Sequence, residues 1–233
     1  MNTPLNDTPL ERLNKFLALQ LGVSRREADE YIAAGRVHVN NKQAQLGARI
    51  DTSHDTLSLD GKPLSAKARS KQTILFHKPV GYVCSRKAQG DAPTIFSLLP
   101  QNFQHLQAVG RLDKLSSGLL LLSNDGDLAF RLTHPKFSKR KVYRVRLREE
   151  LAPLHQQMIS DYGVQLEDGI SKLTLTRLDD NHRYGWQVEM SEGRNRQIRR
   201  TFEALGYSVV KLHRIEFGNY HLGELKRGEW REL

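Results

Sequence analysis

Gly110-Arg111-Leu112-Asp113-Lys114-Leu115-Ser116-Ser117-Gly118-Leu119-Leu120-Leu121-Leu122-Ser123-Asn124-Asp125-Gly126 falls into two halves of opposite character. The second half, Gly118 to Leu122, is a short apolar run closed by turn residues. That is the length and boundary of a buried strand, too short for a helix of its own. The first half is turn-rich and carries one carboxylate, Asp113, beside that strand. A carboxylate so placed is partly shielded from water, where its charge and nucleophilicity can be tuned. An aspartate in a turn can equally do no more than cap nearby amides. The residues alone leave both readings open.

Outward from this segment the β signals dominate. Ile74–Phe76, Tyr82–Cys84, Val142–Leu147, Leu173–Arg177 and Trp186–Met190 are β-rich or apolar runs bounded by turns. Helical patterning is confined to about 127–133, 150–160 and 195–205. In the last, Ile198, Phe202 and Leu205 share a face and Gly206 follows as a stop. The expectation for this region is an α+β domain built mainly on antiparallel sheet.

The first 66 residues read differently. Leu13, Phe16, Leu17 and Leu21 recur at helical spacing over about 10–21, and Gly22 follows. Ser24-Arg25-Arg26-Glu27 has the form of a capping box opening a second helix, which Gly35 ends after Ala34. Short strands are then expected at Val37–Val39, around Ala44–Leu46 and at Thr56–Leu59, with Asn40-Asn41 and Asp60-Gly61 as tight turns. Ser65–Gln72 is small, polar and basic, and reads as a linker. The domain expectation is therefore 9–66 and 71–233.

Charge divides the chain at the same place. The formal charge is +10, yet residues 1–66 hold eight basic and eight acidic residues, so the excess lies in 67–233, with 28 basic and 18 acidic. Lys136 to Arg148 contains seven Lys or Arg and no acid, and Arg194, Arg196, Arg199 and Arg200 form a second knot. Two dense clusters suit a phosphate backbone better than a uniformly solvated face does.

Other chemistries lack their residues. Cys84 is the only cysteine, which excludes an internal disulfide and a multi-cysteine zinc site; its apolar neighbours Tyr82 and Val83 suggest core packing. No Gly-x-Gly-x-x-Gly, Walker loop or Gly-x-Ser-x-Gly occurs, and the nine histidines show no metal spacing. No metal and no cofactor are expected. With no apolar run near a membrane span and a polar N-terminus, the expectation is a soluble, cytoplasmic monomer with no membrane partner.

The 110–126 segment resembles the signature of the RsuA/RluB-type rRNA pseudouridine synthases: Gly-Arg-Leu-Asp, two variable residues, Ser/Thr, one residue, Gly-Leu, an apolar run and Asn/Asp-Asp/His-Gly. Further matches follow in family order at His77-Lys78-Pro79-x-Gly81, Lys141-Val142-Tyr143-Arg144-Val145, Glu192-Gly193-Arg194-Asn195-Arg196-Gln197-Ile198-Arg199-Arg200, Lys211-Leu212-x-Arg214 and Gly228-Glu229-Trp230-Arg231. The N-terminal module is similar to the αL RNA-binding motif of ribosomal small-subunit protein four, through Leu13–Phe16, Ser24–Ala28 and Gly35–Asn40. The resemblance spans residue 9 to 233. His77 stands where Asn is frequent and Ser116 where Thr is commoner.

The resemblance implies an isomerase that detaches uracil from ribose, turns it and rejoins it through carbon five, with rRNA as partner. It makes Asp113 the essential carboxylate, acting on the anomeric carbon or on the neighbouring ribose proton. It places Arg199 as the cation offsetting the burial of that charge, with Arg196 and Arg200 pointing elsewhere. Tyr143 would stack on the extruded base and Leu212 would close its other side. Lys78, Arg111, Arg194 and Arg196 would support the site or contact RNA. The motifs lean toward large-subunit rRNA, with small-subunit rRNA or a non-catalytic assembly factor as alternatives.

Overall fold

The computed structural model describes residues 10–65, 70–86, 89–179 and 181–233. Most of the expected linker, 66–69, lies outside the described residues. The chain divides into two compact units, Met1–Gln72 with Asn124–Gly126, and Thr73–Ser123 with Asp127–Leu233. Among the described residues no helix is long and apolar enough to cross a membrane.

In the first unit α1 (Leu13–Leu21) and α2 (Arg25–Ala33) precede a small sheet. Leu13, Phe16 and Leu17 are fully buried, as their helical spacing requires, against Ala28, Ile32, Val37, Ile50 and Leu57. Helix α1 starts later than the periodicity suggests, because Glu11–Arg12 pairs with Arg49–Ile50 as a two-stranded ladder. The Ser24 hydroxyl accepts from the Glu27 amide at 3.1 Å, so half of the capping box forms; the Glu27 carboxylate accepts from the Tyr31 hydroxyl instead. Strands β1 (Val37–Val39) and β2 (Lys42–Gln43) flank Asn40-Asn41, both at positive φ. That two-residue turn forces pairing to begin at Lys42, so the strand expected at Ala44–Leu46 is displaced to 42–43. Strands β3 (Leu57–Leu59) and β4 (Lys62–Leu64) repeat the device around Asp60-Gly61.

The second unit is built on a nine-stranded sheet. Its strands are β5 (Thr73–Lys78), β6 (Gln107–Val109), β7 (Ser117–Ser123) and β8 (Lys141–Leu147). After a separate hairpin, β9 (Val164–Leu166) with β10 (Gly169–Ser171), the sheet resumes. It continues with β11 (Thr174–Arg177), β12 (Gly185–Met190), β13 (Val209–Phe217), β14 (Tyr220–His221) and β15 (Trp230–Glu232). The order is β11-β12-β8-β13-β7-β5-β15, with β6 on β7 and β14 on β13. All pairings are antiparallel except the central one between β13 and β7.

One face of this sheet carries the larger core, in which Tyr143, Val145, Leu147, Trp186 and Val188 meet Ile198 and Phe202 of α5 (Gln197–Glu203). Leu75, Leu119, Leu121 and Phe217 form a second cluster with Leu132 of α3 (Gly126–Thr133). Two expected elements change. Tyr82–Cys84 makes only a single bridge, Val83 to Thr94. The helix expected over 150–160 is α4 (Pro153–Gln157) followed by a π-helical turn, Met158–Tyr162.

The parallel junction depends on a glycine. Gly118 has φ +109°, and a Cβ there would lie 2.2 Å from the Arg214 carbonyl oxygen and 2.6 Å from its amide nitrogen. Both are backbone atoms and cannot yield as a flexible side chain could. Gly118→Ala is therefore expected to destabilise the protein by at least about 1–3 kcal/mol through backbone strain alone. Chemical denaturation against the unsubstituted chain measures this. A midpoint unchanged by the substitution would contradict the close approach.

Candidate active site

Asp113 lies in the turn that leads from Gly110 into β7, and the backbone of this turn is held on every side. The Lys78 ammonium donates to the carbonyls of Asp113 (3.0 Å), Ser116 (2.8 Å) and Pro79 (3.0 Å). The Ser116 amide closes the turn onto the Asp113 carbonyl, and the Gly81 amide takes the Lys114 carbonyl at 2.8 Å. Arg199 donates to the Leu115 carbonyl at 2.9 Å and the Val209 carbonyl at 2.8 Å. Upstream, the Cys84 thiol donates to the Leu112 carbonyl and accepts from its amide. Five consecutive carbonyls, Leu112 to Ser116, are thus taken by β5, the segment after it and α5. The Asp113 carboxylate remains directed to a cleft of about 760 Å³, with its side chain 29% exposed.

Tyr143 and Leu212 line the same cleft, each 7% exposed; they project from neighbouring strands, where Val145 pairs with Leu212 and Tyr143 with Arg214. Arg111 is exposed at the cleft wall, and Arg194 and Arg196 lie along it. The expected residues converge, with Lys78 and Arg199 behind the loop rather than in the cleft.

The cation beside Asp113 is Arg196, with Nη1 3.8 Å from Oδ2. This corrects the expectation that Arg199 makes the pair while Arg196 points away. Arg196 sits just before α5 in a left-handed conformation, φ +47°, which turns it out of the helical run. Such a conformation is uncommon outside glycine and asparagine, and strain of this kind concentrates at functional sites. Arg199, one turn further on, is 8% exposed and committed to carbonyls. Burial pulls its pKa down, the nearby Arg196 pulls it further, and the Asp113 charge counters both.

Two further expectations change. Lys78 is fully buried, so it contacts no RNA; it is the pin of the loop. Arg194 is committed to the β9–β10 turn, donating to Asp168, Gly169 and Ile170, and it also pairs with Glu192. Arg200 binds Asp168 as well. Gln197 links this segment inward through the Ser171 hydroxyl and the Glu192 carboxylate. The knot of arginines therefore supplies mostly internal ties, with Arg196 as its member at the carboxylate. The other basic cluster divides similarly. Arg140 pairs with Glu189 and Glu216, and Lys141 bonds the Lys139 and Glu192 carbonyls.

Residues that the motifs marked without a role also gain places. Arg214 is 2% exposed, donates from Nε to the Leu119 carbonyl at 2.8 Å, and leaves Nη2 without a partner at the cleft wall. Its charge, after burial, depresses the Lys141 pKa to about 8. Among the described residues no cluster of three His, Cys, Asp or Glu side chains could hold a metal ion.

With this geometry in hand, comparison with known proteins is specific. The RNA pseudouridylate synthase family matches residues 72–204, and the S4 domain matches 11–56. The chain belongs to the RNA pseudouridylate synthase family, whose members are isomerases, and carries an N-terminal S4 domain. It is 39% identical to the ribosomal large subunit pseudouridine synthase B of Pseudomonas aeruginosa, across 98% of this chain and 63% of that protein. It is 38% identical to the protein of the same name from Yersinia pestis, across 96% of this chain and 72% of that one. A crystal structure of a pseudouridylate synthase superposes with a TM-score of 0.67 at 32% identity, covering 96% of both chains.

The buried ammonium gives a pH signature. Burial draws the Lys78 pKa from 10.5 to about 8, with Cys84 and Asp113 acting the other way. Between about pH 8 and 10.5 the unfolded chain binds more protons at this site than the folded one, so stability rises with pH across that window. Lys141, with the same depressed value, contributes in the same direction. Lys78→Met removes the first contribution and leaves loop carbonyls unsatisfied. The expected variant is less stable at pH 7, with a shallower rise from pH 8 to 10.5 and unchanged salt dependence of RNA binding. Urea titrations across pH, with RNA binding at two salt concentrations, check all three.

Proposed function

We propose that this protein isomerises a specific uridine of large-subunit ribosomal RNA to pseudouridine, with Asp113 as the catalytic carboxylate. The observation that carries this reading is the Asp113 carboxylate itself: the carbonyls of its turn from Leu112 to Ser116 are all hydrogen-bonded, Arg196 lies 3.8 Å away, and its cleft is walled by Tyr143 and Leu212. The relatives at 38–39% identity are named for large-subunit rRNA, which supports that substrate over the small-subunit rRNA.

In this reading the target nucleotide leaves its stack at a cost of a few kcal/mol and enters the cleft. Tyr143 presents a ring face to the uracil and Leu212 an apolar surface. Asp113 acts on the ribose as the bond to N1 breaks, the freed base turns, and its carbon five bonds to the ribose. The carbon-five hydrogen leaves as a proton while N1 gains one, so atoms and electrons balance without redox chemistry. Arg196 holds the carboxylate's orientation, and Arg199 acts through the Leu115 carbonyl as a positioning residue. Arg111 meets the RNA at the rim. Residues 9–66 form a separate RNA-docking domain preceding a catalytic domain at 71–233, and the protein works as a cytoplasmic monomer.

Asp113→Asn keeps the side chain's size and removes its charge. The expected protein is folded, binds rRNA within a few-fold of the original, and releases no tritium from uridine labelled at carbon five. Turnover by a preparation shown free of deamidation by mass spectrometry would overturn the assignment. Arg199→Gln loosens the loop and is expected to lower the single-turnover rate at saturating RNA. Arg196→Gln is expected to lower both that rate and RNA affinity, because its side chain is 45% exposed at the cleft.

Removing residues 1–70 is expected to raise the rRNA concentration needed for half-maximal modification by tenfold or more. Equal efficiency of the truncated and full chains would remove the docking role.

A further inference from the structure

A second concavity, of about 770 Å³, opens beside the loop that carries Asp113. Arg144 and Arg146 of β8, Lys211 of β13 and Arg227 bring four cations to it, all exposed. No acidic residue is among those that line it. None of the four makes an ion pair or a side-chain hydrogen bond among the described residues. Arg194, Arg200 and Arg140 by contrast are neutralised by carboxylates within the fold.

The arrangement follows from the strand alternation. Along β8 Tyr143, Val145 and Leu147 are buried, so Arg144 and Arg146 emerge on the opposite face. Arg144 pairs in register with His213 and Arg146 with Lys211, which sets three basic side chains and one imidazole together on that face. The floor holds His77 and His213, ring centroids 5.2 Å apart. His213 Nδ1 is 2.9 Å from the Ser117 hydroxyl, and His77 Nδ1 is bonded to the Leu225 carbonyl. His77 is 7% exposed and its Nε2 has no hydrogen-bond partner.

We infer that this groove binds the phosphate backbone of the substrate RNA strand on one side of the target uridine. The inference rests on the rRNA-modifying reading above. Charge complementarity selects a polyanion, because every formal charge on the groove has one sign. Its apolar members select a nucleic acid over a free phosphate. Val80, Leu115, Leu178 and Val210 are 44–61% exposed between the cations and can pack against ribose and base. Continuity selects the substrate strand. Asp113 and Ser116 line the catalytic cleft, Leu115 and Ser117 line the groove, and Leu212 lines both. The loop is thus the partition between the two, and a strand whose nucleotide enters the cleft can pass over Leu115 into the groove. The imidazole agrees with this assignment. Burial first, and then His77, Arg227 and Arg144, depress the His213 pKa to about 4, so this imidazole is neutral at pH 7 and the groove's charge is that of its four exposed cations.

The test uses the full chain carrying Arg144→Gln, Arg146→Gln and Lys211→Gln together, with an unmodified large-subunit rRNA transcript from the source organism as probe. All three are exposed, and circular dichroism verifies the fold. Each lost phosphate contact lowers the slope of log affinity against log salt by about 0.7–0.9. The expected result is a slope smaller by about 2 to 3 and affinity at low salt weaker by at least about tenfold. Uridine monophosphate and inorganic phosphate at millimolar concentration are expected not to displace the transcript. Unchanged slope and affinity in the triple variant would overturn the groove, as would competition by the free phosphates at this site. These outcomes are read only where the unsubstituted chain forms pseudouridine in the transcript; a chain that forms none defeats the functional reading instead.

Discussion

A fully buried ammonium makes the rest of the site possible. Lys78 leaves water at the end of β5 and directs all three of its donors at carbonyls, two of them in the turn bearing Asp113. A buried charge is tolerated only when fully hydrogen-bonded. The loop therefore has one backbone arrangement that satisfies the lysine, and the lysine has one position that satisfies the loop. Arg199 from α5 also donates to the Leu115 carbonyl and Arg214 to that of Leu119, each keeping one buried guanidinium nitrogen without a hydrogen bond. Three cations from different parts of the chain converge on one stretch of backbone. The carboxylate in the cleft is thereby fixed from behind while its own oxygens stay available.

The cations are costly to bury, and part of that cost is met by Asp113 itself. Its negative charge raises the pKa of both Lys78 and Arg199 against the larger lowering from burial. Replacing Asp113 by a neutral residue consequently touches the two groups that hold the loop, although neither lies in its ion pair. The position of the site and the chemistry of the site are coupled through this electrostatic exchange.

How much of this was legible in the sequence varied with the range of the interaction involved. The apolar run 118–122 announced β7, and Leu13, Phe16 and Leu17 announced a buried helical face, because strand and helix periodicities are local. The Ser24 cap and the Asn40-Asn41 turn were likewise local. The exchange of roles between Arg196 and Arg199 was not legible. It follows from a left-handed residue at 196 that starts α5 two residues later than the pattern implied, a choice made by packing against Ser171 and Glu192 through Gln197. For Lys78 the sequence leaves a supporting role and an RNA contact both open, because a lysine before proline at a strand end offers no sign of burial. The carbonyls that bury it lie 35 and 38 residues downstream.

The net charge shows the same distinction between counting and placement. An excess of basic residues over 67–233 argued for a polyanion, and the two dense clusters were its apparent location. The fold redistributes them. Arg140, Arg194 and Arg200 are neutralised by carboxylates, while Lys78, Lys141, Arg199 and Arg214 hold backbone carbonyls. Strand alternation, which no count of charges contains, sends Arg144 and Arg146 to the face away from Tyr143 and leaves them unneutralised beside Lys211. The parallel junction of β7 with β13 then sets Ser117 opposite His213 and Gly118 against Arg214. That single register fixes the Asp113 loop on one side of Leu115 and the basic groove on the other. In the proposed reading, the spacing between a base in the cleft and a phosphate in the groove is accordingly a property of the sheet, and no flexible segment has to set it.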